Sequence, residues 1–171
     1  MDADRLLGIY LNDHLAGATG GLELARRLAS RNRGTEYAED LERIATEIEE
    51  DRGTLQDLLR RCGVAENPVK VRAAWAAERV GRLKLNGRLV GYSPLSRLEE
   101  LEALRLGVEG KLALWRSLKE TRGADRRFEG VDLGALINRA ERQRDQLESM
   151  RLRAATGAFG VAPAPRSRAK P

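Results

Sequence analysis

Apolar residues recur at alternating three- and four-residue steps along two stretches of the chain. The first reads Leu7, Leu11, His14, Ala18, Gly21, Ala25, Leu28. The second reads Tyr37, Leu41, Ile44, Ile48, Asp51, Leu55, Leu58, Cys62. That spacing keeps one face of a helix towards a core. Folded into an antiparallel hairpin about residues 32–33, the stretches pair layer by layer. Leu28 meets Tyr37, Ala25 meets Leu41, Gly21 meets Ile44 and Ala18 meets Ile48. Leu11 then meets Leu55, and Leu7 meets Leu58. His14, the chain's single histidine, falls level with Asp51. The pattern predicts a buried His14–Asp51 pair, in which the carboxylate sets the imidazole tautomer. An orphaned polar group there would cost about 1–3 kcal/mol. Such a layer can specify register, as a buried Asn does in coiled coils.

Start and stop signals divide the chain into five helices and a tail. The expected spans are 2–30, 36–62, 68–86, 94–120 and 132–156. Thr35 is a candidate N-cap, and Gly63 suits a left-handed C-terminal position. Asn67-Pro68 and Ser93-Pro94 each read as an N-cap followed by proline in the first turn. Asp132 is a further cap. Residues 1–156 form one helical domain, and the Pro-, Ala- and Arg-rich residues 157–171 read as disordered. Gly17, Gly20 and Gly21 inside the first helix each cost about 1 kcal/mol relative to Ala. The expected compensation is close approach of the second helix, with Ile44 and Ile48 filling the space.

The fourth and fifth helices register as a second hairpin. Leu118 faces Leu133, Trp115 faces Leu136, Leu112 faces Ala140, Leu101 faces Met150 and Leu98 faces Ala154. The middle layers pair Val108 with Gln143 and Arg105 with Leu147. Glu102 and Glu109 flank Arg105 at helical spacing, so an ion-pair ladder along that helix is expected. The helix over 68–86, about 28 Å long, is long enough to carry the chain from one end of the first hairpin to the other. Its apolar positions (Val69, Ala73, Ala76, Val80, Leu83) lie on one side, which suits an outer cover. The fold class is therefore all-α: an antiparallel helical bundle of five helices, two hairpins joined by a crossover helix, with a plain up-down array of five helices as the competing layout. The crossover layout is the ferritin-like arrangement. The segments IYLNDHLAGATGGLELARR, EIEEDR, WAAERVGRLKLNGRLVGYSPLSRLEELE and GVEGKLALWR carry a matching resemblance. In them the chain resembles actinobacterial helical-bundle proteins of ferritin-like type, for which no activity is established.

The ferritin-like resemblance implies a metal pair, which requires a carboxylate on each of two helices and Glu-x-x-His on each of the other two. The single histidine lies on the first helix, where a carboxylate belongs, so that set is absent. A divergent site remains as the alternative. Asp13, His14, Glu47, Glu50 and Asp51 lie near one level, and with Glu102 or Glu109 they could hold a divalent metal. No phosphate-binding loop, dinucleotide fingerprint or nucleophile elbow is present.

Composition narrows the remaining classes. Only 4% of residues are aromatic, against 42% hydrophobic and 33% charged, which suits close-packed Leu, Ala, Val and Ile. The net charge is +5. Arg166, Arg168 and Lys170 of the tail carry much of it, with no acid beside them, and elsewhere the charges intermingle. That argues against a nucleic-acid surface. The lone Cys62 excludes an internal disulfide. No leader and no membrane-length apolar run is seen, so the expected location is cytoplasmic. Leu89, Val90, Tyr92 and Leu95 form an apolar cluster between the third and fourth helices. Either it caps the bundle or it is a contact for a protein partner or a second copy. The sequence reads as a non-catalytic structural or protein-interaction bundle without cofactor. A metal-binding protein or oxidase is the alternative.

Overall fold

The computed structural model describes residues 2–66 and 92–160. Among them are four α-helices: α1 (Ala3–Arg31), α2 (Ala38–Arg61), α3 (Pro94–Arg122) and α4 (Leu133–Phe159). A short 3-10 turn, Arg126–Phe128, leads into α4, and the described residues contain no strand. The expected helix over 68–86 and the tail beyond Gly160 lie outside the described residues. α4 continues to Phe159, past the boundary expected at 156. No described helix is long and apolar enough to cross a membrane.

Local chemistry accounts for the helix ends. Asp2, Ser93 and Asp132 each accept a backbone N–H of the first turn of α1, α3 and α4. Such caps stabilise a helix by about 1 kcal/mol each. Thr35 acts one turn before α2: its hydroxyl donates to the Asn32 carbonyl and accepts from the Tyr37 N–H. Gly34 and Gly63 take positive φ, 76° and 68°. That left-handed backbone reverses the chain after α1 and ends α2.

Contacts at the two ends fix the helix directions. Where α1 ends, Asn32 binds Tyr92 and Arg97, and Glu100 binds Arg27 and Arg31. α3 therefore starts beside the end of α1 and runs antiparallel to it. At the opposite end Val64 packs on Gly8, Arg61 donates to the Glu129 carbonyl, and Arg127 pairs with Asp4. The helices thus run up, down, down, up. The chain leaves one end of the bundle at Glu66 and re-enters at the other end at Tyr92.

The core has two apolar clusters. One is built around Leu28, Ile44, Leu101, Val108 and Met150. The other is built around Leu11, Leu58, Leu112, Trp115 and Leu136. Burying a leucine side chain of this kind contributes about 1.5–3 kcal/mol. Between the clusters Asp51, Lys111 and Gln143 form a polar layer.

Two packing expectations are corrected. α1 runs to Arg31 and α2 starts at Ala38, so the connection centres on Gly34 and Thr35 rather than on 32–33. That slides the first hairpin by about one helical turn. Among the described residues, Gly17 and Gly21 of α1 also do not admit a neighbouring backbone. A Cβ at Gly17 or Gly21 would meet nothing within 4 Å.

Candidate functional site

The polar layer is a relay of side chains from three helices. Lys111 of α3 donates to Asp51 Oδ2 at 2.5 Å and to Gln143 Oε1 at 2.5 Å. The Gln143 amide then donates to Glu47 Oε2 at 2.7 Å. Arg139 of α4 lies 3.2 Å from Asp51 Oδ1 and 2.7 Å from Glu50 Oε2. Asp51 is 1% exposed. Burial raises its pKa, opposed by the charge and hydrogen bond of Lys111. Burial likewise pushes the Lys111 pKa down, opposed by Asp51. Desolvation disfavours each charge alone, so the pair endures because each partner supplies the other's counter-charge.

The predicted His14–Asp51 pair is therefore corrected. The one-turn slide takes the two side chains out of level, and Asp51 instead meets Lys111. The His14 ring stacks edge-on against Tyr10, with centroids 4.5 Å apart. It is half-buried, and burial lowers its pKa, with Asp13 opposing. Asp13 is exposed. Among the described residues no group of three or more His, Cys, Asp or Glu side chains could hold a metal ion. Glu47, Glu50 and Asp51 are instead bound by an amide, an arginine and a lysine. The donor set does not fit a metal pair: α3 presents an ammonium to this level, α4 an amide and a guanidinium, and the histidine stands apart.

Of the predicted surface cluster, Leu89 and Val90 lie outside the described residues. Tyr92 is half-buried, its hydroxyl accepts from Asn32, and Arg31 and Arg97 lie over its ring at 5.3 and 5.5 Å. Burial raises its pKa well above the ordinary value. Leu95 packs against the first core cluster. The expected ladder on α3 is redirected across the hairpin: Arg105 pairs with Glu148 of α4 at 3.0 Å, and Glu102 with Arg151 at 3.5 Å.

Beside the relay lies a cavity of about 430 Å³. The pattern reading missed it. Gly17 and Gly21 of α1 face it from one side, Gly107 and Gly110 of α3 from another, and a Cβ at any of the four would meet nothing within 4 Å. Gly17, Gly107 and Gly110 are exposed, so the mouth lies between α1 and α3. Ile48, Leu55, Leu104, Val108 and Trp115 make the apolar interior. The glycine spacing was visible in the sequence, but as a packing motif. Lys111 carried a signal too: it lies three residues after Val108 and four before Trp115, a charge at core spacing.

No known protein family matches the chain, and no curated protein or solved structure matches it.

Proposed function

We propose that the chain is a non-catalytic, ferritin-like bundle that binds rather than transforms. In it a lysine serves where relatives of that architecture hold metal. The up, down, down, up course with one long connection supports the ferritin-like assignment. The observation that carries the reading is the Lys111 ammonium, bound between Asp51 and Gln143 at mid-bundle. An ammonium there neutralises the carboxylate that a metal would need and repels a second cation. The cytoplasm is the proposed location. Association with a protein or a second copy is also proposed, and it draws on apolar side chains left exposed, Leu6 and Ile9 on α1 and Leu106 on α3.

The test is elemental analysis of untagged protein grown with iron, manganese and zinc supplied. The expected result is folded protein with far less than one metal ion per chain. Near-stoichiometric metal that disappears in Asp51→Ala would overturn the reading and favour the metal-binding alternative.

A further inference from the structure

A glycine inside a helix costs about 1 kcal/mol relative to alanine. That cost is usually offset by a neighbour packing closely against the missing side chain. At Gly17, Gly21, Gly107 and Gly110 there is no such neighbour among the described residues, and open volume stands in its place. A close-packed bundle would fill it, because voids forfeit dispersion contacts. The volume lies in the range of small-molecule sites, about 300–1,000 Å³.

Of the polar side chains on the lining, Arg52 rather than Trp115 points to an occupant. Trp115 is 1% exposed, and its indole N–H has no acceptor. The ring lines the cavity, but its nitrogen is closed off from it. Arg52 is half-buried. Among the described residues its guanidinium donates to neutral oxygens, Thr19 Oγ1 and Gln56 Oε1, each at 3.1 Å. No carboxylate among the described residues lies within ion-pair distance of it. The other lining charges are accounted for: Lys111 and Asp51 neutralise each other, and Asp13 stands exposed at the mouth. An anionic head therefore belongs at Arg52, away from Asp13.

We propose that the cavity between α1 and α3 binds an amphipathic monocarboxylate. Its hydrocarbon chain lies along the glycine-lined wall and against the Trp115 ring, and its carboxylate pairs with Arg52. The site goes beyond the metal-free reading of the bundle and does not depend on it, since Arg52 and Trp115 take no part in the Lys111 relay.

The experiment is calorimetric titration of the full chain with dodecanoate below its micelle concentration, with dodecanol and dodecyltrimethylammonium as probes of head charge. The Trp115 indole N–H resonance is followed in parallel, assigned by its loss in Trp115→Phe. The expected result is saturable one-to-one binding of dodecanoate, at least tenfold tighter than dodecanol, with a shifted indole resonance and no binding of the ammonium. Arg52→Gln should erase the preference for dodecanoate over dodecanol. Gly107→Leu, which fills the cavity, should weaken dodecanoate at least tenfold without lowering the melting temperature. Should Gly107→Leu misfold, Gly17→Ala with Gly107→Ala replaces it and should weaken binding several-fold. The proposal is overturned by absent saturation, by equal binding of all three probes, or by affinity unchanged in folded cavity-filling variants. Metal content is unaffected by any of these outcomes, so failure here is distinct from failure of the proposed function.

Discussion

Helix α3 has two working faces that obey different rules. Towards α4 it sends Arg105 and Arg116 across to Glu148 and Glu141, beside the buried Leu101 and Leu112. Towards α1 it presents Gly107 and Gly110 to a cavity. Lys111 stands at the border between the two faces. One face spends its residues on stability, and the other gives up stability for volume. The difference teaches that packing quality is a property of a helix face rather than of a helix.

The largest effect expected is at the border. Lys111→Met leaves Asp51 buried with Arg139 as its remaining cation, and removing one partner of a buried pair costs about 3–5 kcal/mol. Urea unfolding should read that loss, and replacing Asp51 by Leu in the same chain should recover most of it. A loss below about 1 kcal/mol would show that the relay is not what holds the middle of the bundle. Next comes the packed face, where Leu112→Ala should cost about 2–5 kcal/mol as transfer and cavity terms add. The hollow face should answer with the opposite sign. Gly17→Ala combined with Gly107→Ala should raise stability by about 1–2 kcal/mol, because each added methyl meets open space and removes a helix-breaking residue. Destabilisation by this pair would mean that α1 and α3 already pack closely, and the comparison would fail.

The smallest effect is a pH dependence at the cavity edge. Burial holds the His14 pKa below its ordinary 6.5, so on acidification the unfolded chain binds the proton first. The stability that comes from a neutral His14 is complete above pH 6.5 and is lost as pH falls through the lowered folded value. Asp51 acts with the opposite sign in the window above its ordinary 3.8, since its folded form takes the proton more readily. Subtracting His14→Gln isolates the histidine. Between pH 8 and 5 the wild-type melting temperature should fall further than that of the variant, and parallel curves would remove His14 from the account.

Much of the frame was legible because periodicity and caps act locally. Ser93 and Asp132 cap as their sequence context suggests, and the described helix boundaries fall within a few residues of the expected ones. In the second hairpin Arg105 meets Glu148, one residue from the expected Leu147, while Gln143 meets Lys111 in place of Val108. The first hairpin slipped because its register depends on the turn. Gly34, with its left-handed φ, moves the reversal two residues on, and every layer moves with it. The candidate site was lost by that slip. A single histidine drew attention to Asp51, whereas the decisive partner came from a helix sixty residues later in the chain. Glycines were misread for a related reason: spacing alone does not distinguish a face that admits a neighbour from one that admits nothing.

The ammonium of Lys111 has a consequence of supply. A cation attached to its own side chain is made when the chain is made. It needs no loading, is not drawn away by a chelator and does not change oxidation state. Proteins that depend on a bound ion for their folded state inherit the fluctuations of that ion. This bundle takes the positive charge beside Asp51 from translation.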